Sequence, residues 1–332
     1  MTTGPTPAHC TWKHGTLETH QLGGMTGPIV FNMPDGPTFA PLASPPWEGE
    51  ALSTGLPGHI RGLRGVFPCL PFGISRVPKD APPAWRGLEG SGASPMHGPG
   101  ANGLWDVQES GQSGVRLRFT HGPCDPFALS DQEVTPEPDK PAATFRFSCL
   151  PRADIFWPVG FHVMLTWTEG MRLDPGPFAM GLTYPGSLEP GLMQTTPGVS
   201  FTSLAEVPGR KGRVDMARPD WNGPSEDVVM LCCTGGAMTI DYPSLGRRLR
   251  IGWDAATLPS CLIWYTRFGL SEAPWNNRYT AIGIEPVAAA FDFHPDVSAA
   301  PNPINKAGFQ TAIAFRRDVP FSTCLRLEAF AL

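Results

Sequence analysis

The sequence predicts an all-β sandwich, and three observations support that prediction. Gly 38 and Pro 39 together are more frequent in the 332 residues than usual, yet below the level typical of disorder. The 19 Phe, 10 Trp and a hydrophobic share of 41% require a buried core. No stretch has the periodicity of an amphipathic helix longer than about three turns. Glycine and proline therefore separate many short strands.

Composition also indicates which binding partners and which cellular compartment to expect. A net charge of −5 without a long basic block disfavours nucleic-acid binding. The first 25 residues contain no apolar signal core, and no apolar run reaches membrane-spanning length, so we expect no membrane association. The eight cysteines form no Cys-x-x-Cys pair, which predicts reduced thiols in a cytoplasmic protein.

Alternating or continuous apolar runs between turn residues predict the strands. Pro34-Asp35-Gly36 predicts a tight turn between two early strands. The later predicted strands are Val115–Thr120, Ala143–Leu150, Val159–Thr168, Val228–Cys233, Ala237–Tyr242, Arg248–Trp253, Cys261–Arg267, Tyr279–Ile284, Thr311–Arg316 and Cys324–Phe330. The chain is long enough for one large all-β domain or two ordinary ones.

Glu285 follows an apolar strand and immediately precedes Pro286. Because proline restricts itself and the residue before it, we predict that the strand ends at Glu285 and holds its carboxylate rigidly. Burial and fixed neighbours could tune this carboxyl group as a general base. Alternatively, Glu285 accepts backbone N–H bonds at a strand end and has only a structural role.

Two histidines stand in contexts that suggest a cleft. His97 precedes glycines at the end of a long loop, just before the Trp105 strand. His162 lies within a predicted strand among apolar residues, where it could be a proton donor. The alternative for each is an imidazole that only forms structural hydrogen bonds.

The segment from Arg61 to Gly73 contains Pro68 and Pro71, which predict an ordered apolar loop or an edge segment. It is either a rigid loop lining the core or the wall of a pocket. In a pocket, Arg61 or Arg64 could hold a polyol or an anion through its planar guanidinium group.

Several motifs occur together in one order. They are the opening run Ile29-Val-Phe to Pro46-Trp47, the segment Arg61–Gly73, His97-Gly98 before Leu104-Trp105, Pro158-Val-Gly-Phe-His162, Phe201-Thr-Ser-Leu-Ala-Glu-Val-Pro, and Glu285-Pro286 through Asn302-Pro303. With this ordered set the chain resembles the aldose 1-epimerase (galactose mutarotase-like) superfamily over nearly its whole length. The resemblance implies one domain over residues 1–332, in which residues 1–15 could be a loose N-terminal segment, and a large antiparallel β-supersandwich.

The resemblance also implies an activity and a set of site residues. The activity is the interconversion of α and β anomers of a monosaccharide or sugar derivative, including an anionic or phosphorylated one, without a cofactor or a metal. Glu285 would be the base, His162 the acid, and His97 a second group that polarises the ring oxygen. Further candidates for substrate contacts, several of which could instead be core residues, are Arg61, Arg64, Asp227, Trp105 and Trp264. A monomer or a homodimer would suffice.

Two other functions stay open. A non-catalytic sugar-binding or regulatory protein on the same fold would keep the cleft and its aromatic residues, because a fold does not fix function. Such a protein would not need His97, His162 and Glu285 together, so their presence favours the enzyme. A lyase on a related sandwich would be expected to use a tyrosine or lysine base, and no tyrosine here stands in a recognisable motif.

Overall fold

A computed structural model describes residues 6–53, 55–73, 75–88, 90, 94–189, 191–220 and 222–332. It is 45% strand and 9% helix, which confirms the predicted all-β class. Within these ranges the four α-helices are short, and none is long and apolar enough to cross a membrane.

The strands are numbered in chain order. Their bounds are β1 Ala8–Trp12, β2 Gly15–Thr19, β3 Thr26–Asn32, β4 Thr38–Phe39, β5 Val66–Cys69, β6 Asp106–Gly111, β7 Gly114–Thr120, β8 Phe127–Pro136, β9 Ala142–Pro151, β10 Ile155–Trp157, β11 Val159–Thr166, β12 Arg172–Asp174, β13 Phe178–Thr183, β14 Ser200–Phe201, β15 Val207–Gly209, β16 Gly212–Val214, β17 Ser225–Thr234, β18 Ala237–Tyr242, β19 Arg247–Trp253, β20 Ser260–Arg267, β21 Thr280–Ala288, β22 Ile313–Phe315 and β23 Phe321–Ala331. The helices are α1 Gly58–Gly62, α2 Gly98–Asn102, α3 Pro295–Ala299 and α4 Pro303–Lys306.

Two large antiparallel sheets form the sandwich. The larger has 11 strands in the order β1-β2-β3-β5-β11-β21-β20-β17-β13-β14, with β4 paired to β3. The smaller has 8 strands in the order β12-β18-β19-β23-β9-β8-β7-β6. Apolar side chains from both sheets, such as Val163 and Ile263 of the larger and Phe145 and Ile251 of the smaller, form one core cluster between them. Their burial is the main stabilising contribution to the sandwich.

A second apolar cluster covers the opposite face of the larger sheet. It contains Met164, Met230 and Leu262 from the strands, together with Trp47 and Phe291 from the loops that cross this face. Both faces of the central strands β11, β21, β20 and β17 are therefore buried, which explains why their sequences are nearly continuous apolar runs. Polar side chains on the loop-covered face lie in an environment that excludes much of the water.

The predicted strands of the second half of the chain agree with β17 to β23 within a few residues, and the turn at Pro34–Gly36 connects β3 to β4. β8 was not predicted, because its Ser130, Gln132 and Glu133 interrupt the apolar pattern. Strand β11, which carries His162, and strand β21, which carries Glu285, are direct neighbours in the larger sheet.

Two predictions that relied on proline were wrong. β21 does not end at Glu285 but continues through Pro286 to Ala288, and β5 includes Pro68 in an inner position. The β11–β21 pairing is interrupted beside Pro286. Proline has no backbone N–H group to donate there, so the interruption costs no hydrogen bond. β5 pairs with β3 at Val66, so that Pro68 pairs with β11 on one side. Each proline therefore occupies a place where the sheet does not require its N–H group.

Candidate active site

A row of side chains on three neighbouring strands forms the floor of a cleft on the loop-covered face. Phe67 on β5 is paired with His162 on β11. The pairs Gly160–Val287 and Val163–Ile284 flank the next position of the β11–β21 register, which places His162 opposite Glu285. Because alternate residues of a strand share a face, the register brings residues distant in sequence to one point.

The His162 imidazole and the Glu285 carboxyl group face each other. His162 Nε2 lies 3.4 Å from Glu285 Oε1, and both side chains are almost completely buried. The His162 ring stacks on Phe67, with centroids 4.7 Å apart and planes inclined by 14°. The stack fixes the plane of the imidazole and so directs Nε2 at the carboxyl group.

His97 joins this pair from a loop. Its ring lies edge-on to His162, with centroids 5.1 Å apart. The backbone of His97 is left-handed, with φ of 60°, and that of Gly98 has φ of 84°. A Cβ atom at position 98 would overlap the Leu70 carbonyl oxygen, so glycine is needed there. The Gly73 N–H donates to His97 Nδ1 (3.3 Å), which leaves the proton of a neutral ring on Nε2.

A third histidine, His59, lines the same cleft and was not predicted. It lies on α1, and its ring centroid is 5.5 Å from that of His97. Asn102 Oδ1 accepts from the His59 backbone N–H (3.1 Å) and from Nδ1 (3.0 Å), so Nε2 of the neutral ring is an acceptor. The Asn102 amide donates to the Met96 and Gly98 carbonyls and thereby joins both histidine-bearing turns.

Burial sets the protonation of these groups. It raises the pKa of Glu285 well above its usual range, and the nearby Asp292 carboxyl group raises it further. It lowers the pKa of His162 to about 3, with His59 contributing. It also lowers the pKa of His97 and of His59 below the usual range. Burial has these effects because placing a charge where water is excluded is costly.

Asp292 is a second carboxyl group at the cleft and was also not predicted. Its Oδ2 accepts from Ser75 Oγ at 2.5 Å. Its Oδ1 is buried and has no hydrogen-bond partner among the described residues. Since an unpaired buried acceptor is costly, this oxygen is suited to accept a hydrogen bond from a ligand.

The rest of the cleft is apolar. Its volume is about 200 Å³. Besides the three histidines and the two carboxyl groups, it is lined by Ile60, Leu63, Met96, Leu188, Val228, Leu262, Trp264 and Trp275. No three His, Cys, Asp or Glu side chains in the described ranges are placed to hold a metal ion together.

No protein-family profile and no curated protein matches this sequence. Solved structures do match its fold along nearly the whole chain. An aldose 1-epimerase candidate from Escherichia coli K12 is 15% identical with a TM-score of 0.65, covering 98% of this chain and 99% of its own. A galactose mutarotase-like protein from Lactobacillus casei ATCC 334 is 12% identical with a TM-score of 0.61, covering 98% and 100%. A GalM/aldose epimerase homologue from C. elegans is 14% identical with a TM-score of 0.61, covering 98% and 99%.

The chain has the galactose mutarotase-like fold. The resemblance predicted from the ordered motifs is thereby confirmed at the level of the fold. Identities of 10–15% do not establish an activity or a substrate. Within this mutarotase-like fold, Glu285, His162 and His97 line one cleft.

Among the remaining predicted substrate contacts, Trp264 lines the cleft, whereas Trp105 and Asp227 do not. Trp105 is a core residue that donates from Nε1 to the Gly100 carbonyl (2.8 Å). Asp227 was expected at the cleft, but its carboxylate accepts from the Gln194 and Thr195 N–H groups at 2.9 and 3.0 Å. The adjacent Glu226 faces the cleft side of β17, because successive strand residues point to opposite faces.

Glu226 supports the wall of the cleft through Trp264. It accepts from Trp264 Nε1 (3.1 Å) and from Thr266 Oγ1 (2.6 Å), and burial raises its pKa to about 7. The indole N–H is therefore already bonded within the protein. The Trp264 ring offers the ligand an apolar surface rather than a hydrogen-bond donor.

The two arginines predicted as substrate contacts do not line the cleft. Arg61 lies on α1 between residues that do. Arg64 is buried and donates to Glu48 Oε1 (2.6 Å) and to the Gly62 carbonyl (3.0 Å), and it also contacts His20. Its guanidinium group is therefore occupied by structural partners.

We predict that Arg64→Met lowers the free energy of unfolding by about 1–3 kcal/mol, because the carbonyl of buried Gly62 loses its donor and the exposed Glu48 carboxylate loses its ion pair. Sugar turnover should stay at the parent level. Denaturant unfolding and anomer-exchange rates would check both parts. The control is Arg316→Met, since the ion pair of Arg316 with Asp154 is 66% and 64% exposed and should change stability little. Retained stability with weakened sugar binding would instead make Arg64 a substrate contact.

Proposed function

We propose that this protein interconverts the α and β anomers of a monosaccharide. The observation that supports this proposal is the contact between His162 Nε2 and Glu285 Oε1 at 3.4 Å on the floor of a cleft of monosaccharide size. Opening a sugar ring requires one group that removes the anomeric proton and another that protonates the ring oxygen. A carboxyl group and an imidazole side by side supply both.

Burial disfavours a charge on either member of the pair. It raises the pKa of Glu285 and lowers the pKa of His162, so it favours the uncharged pair with the proton on the carboxyl group. The two groups titrate as a unit because they are in contact. A sugar hydroxyl that donates to Glu285 stabilises the carboxylate, and the proton can then move to His162.

From this state of the pair, every proton and electron pair of the reaction is accounted for without a cofactor. Glu285 takes the proton of the anomeric hydroxyl, and the electrons of the C1–O bond of the ring pass to the ring oxygen, which receives the proton of His162. The open aldehyde rotates about its C1–C2 bond. Closure on the other face reverses both proton transfers and restores the pair. The Nε2–H of His97 would donate to the ring oxygen and polarise it.

The same cleft could bind a sugar without converting it, so the decisive experiment measures exchange and binding separately. Two-dimensional exchange NMR would record anomer interconversion for a panel of neutral aldoses, above the spontaneous rate in buffer. Titration calorimetry on the same sugars would record affinity. Accelerated exchange with a linear dependence on protein concentration supports the enzyme. Sugar binding with exchange at the spontaneous rate would show a binding protein on this fold.

The cysteines suggest where this chemistry takes place. All eight are free thiols, and six of them are buried or partly buried. We therefore propose a cytoplasmic location, where thiols stay reduced.

A further inference from the structure

The lining of the cleft is divided by polarity in a way that bears on the substrate. On one side of Glu285, β11 presents His162, α1 presents His59 beside the apolar Ile60, and the loop before α2 presents His97 beside Met96. The strands on the other side, β20 and β17, present Leu262, Trp264 and Val228, and the loop residue Leu188 joins them. Among the described residues, a ligand bound here would meet titratable and apolar groups along one edge and hydrocarbon alone along the other.

The described part of the apolar side offers a sugar hydroxyl nothing to bond to. Leu262, Val228 and Leu188 have no polar side-chain atom, and the Trp264 Nε1–H is already donated to Glu226. A hydroxyl placed against this side would give up its hydrogen bonds to water without replacement, which is unfavourable. A methyl or methylene group placed there would be favourable for the opposite reason.

The described lining residues of the cleft include no arginine or lysine that would hold an anion. The guanidinium group of Arg64 is bonded to Glu48. The cleft instead contains two carboxyl groups, Glu285 and Asp292, in surroundings that exclude water. A phosphate or carboxylate would lose its hydration, meet no cation and lie near these acids. Among the sugars that the sequence left open, the lining therefore favours a neutral one over an anionic or phosphorylated one.

We propose that the substrate is an uncharged monosaccharide that lacks a hydroxyl group on the edge that faces the apolar side of the cleft, that is, a deoxy or methyl-bearing pyranose. This inference rests on the proposed anomer interconversion. The anomeric carbon and ring oxygen lie at His162 and Glu285, and the deoxygenated edge packs on Leu262, Val228 and Leu188. The Oδ1 of Asp292, which has no hydrogen-bond partner among the described residues, accepts from a hydroxyl retained on the polar edge. The volume of about 200 Å³ is below the usual range of ligand pockets and suits one sugar ring.

The size of the expected preference follows from the nature of an apolar wall. Such a wall rejects an added hydroxyl by about 100-fold at most, whereas a site built to bond a hydroxyl discriminates far more strongly. We therefore expect kcat/KM for the preferred deoxy sugar to exceed that of its hydroxylated parent by about 10–100-fold. Sugar phosphates should be exchanged no faster than in buffer.

The experiment measures anomer exchange by NMR for matched pairs that differ in one oxygen: galactose with 6-deoxygalactose, glucose with 6-deoxyglucose, and glucose with 2-deoxyglucose. Glucose 6-phosphate is the anionic probe. Faster exchange of at least one deoxy member than of its parent, with an inert phosphate, supports the inference. Preference for the hydroxylated members, or turnover of the phosphate, would overturn it and leave the mutarotase proposal standing. Exchange of no sugar at all would instead overturn the proposed function, and the inference with it.

Two variants at one position test the wall directly. Val228→Thr keeps the shape of the side chain and adds a hydroxyl group to the apolar side, so the deoxy preference should fall by about 10-fold. Val228→Ala is the matched control, because it removes volume without adding polarity and should keep the direction of the preference. Circular dichroism and thermal unfolding would confirm that both variants fold. An unchanged preference in folded Val228→Thr would show that this wall does not meet the substituent.

Discussion

Replacing Glu285 by glutamine should reduce anomer exchange by about 10²–10⁴-fold while sugar affinity stays within a few-fold of the parent value. The amide is nearly isosteric with the carboxyl group, so it should fit between His162 and Leu262 without repacking. It can still hydrogen-bond to a sugar, but it can neither accept the anomeric proton nor exchange a proton with His162. Exchange NMR at saturating sugar, together with calorimetric affinities, would separate the chemical step from binding. Exchange at the parent rate would show that Glu285 is not the base.

The stability of the same variant provides its control, and the sign of the pH dependence can be worked out. Because burial raises the pKa of Glu285 in the folded protein, the folded state keeps a proton that the unfolded state loses above about pH 4.5. Parent stability therefore falls as pH rises from there towards the raised pKa. Glutamine carries no such proton. Each unit of pKa shift corresponds to about 1.4 kcal/mol.

We therefore expect Glu285→Gln and the parent to differ little near pH 4, and the variant to be the more stable protein at pH 8. Thermal unfolding at the two pH values would measure the difference. A variant that is less stable at every pH would show that Glu285 has the structural role, as an acceptor of hydrogen bonds that glutamine cannot replace. Gain of stability with loss of exchange is the combination expected of a strained catalytic group.

The sequence alone predicted the members of the central pair but not their contact. His162 is recognisable because it interrupts an apolar strand, and Glu285 because it follows an apolar strand directly before a proline. The family resemblance then assigned their roles. They are separated by more than a hundred residues, and only the order of β11 and β21 in the sheet makes them neighbours. Strand order depends on contacts along the whole chain, which local patterns do not contain.

Local sequence patterns also fail for the site residues that were not predicted or were wrongly expected in the cleft. Asp227 and Glu226 are adjacent acids, and the choice between them depends on which face of β17 covers the cleft. Both faces of that strand are buried, so alternation gives no signal. Asp292 lies in a loop and His59 on the short helix α1, where no periodicity identifies the direction of a side chain. Arg64 was expected in the cleft because the sequence does not reveal its partners. Glu48 and His20 contact it only in the folded chain.

The other large effect is expected at His162, where glutamine is the informative replacement. A glutamine side chain can place an N–H group where His162 Nε2 contacts Glu285, but it has no proton to transfer. We predict that His162→Gln lowers kcat for anomer exchange by about 10²–10⁴-fold with little change in sugar affinity. The loss of stacking on Phe67 should cost some stability, so thermal unfolding must accompany the kinetics. Parent-level exchange in a folded variant would remove His162 from the mechanism.

The double variant His162→Gln/Glu285→Gln decides whether the two groups act as a unit. If one proton passes between them during each turnover, removing either group already prevents that transfer, and removing both should cost little more than the worse single change. Groups that worked independently would instead show losses that multiply. A double variant within about 10-fold of the slower single variant would therefore support a shared proton. Multiplied losses would assign His162 and Glu285 to separate steps, and the one-proton cycle proposed for this cleft would be wrong.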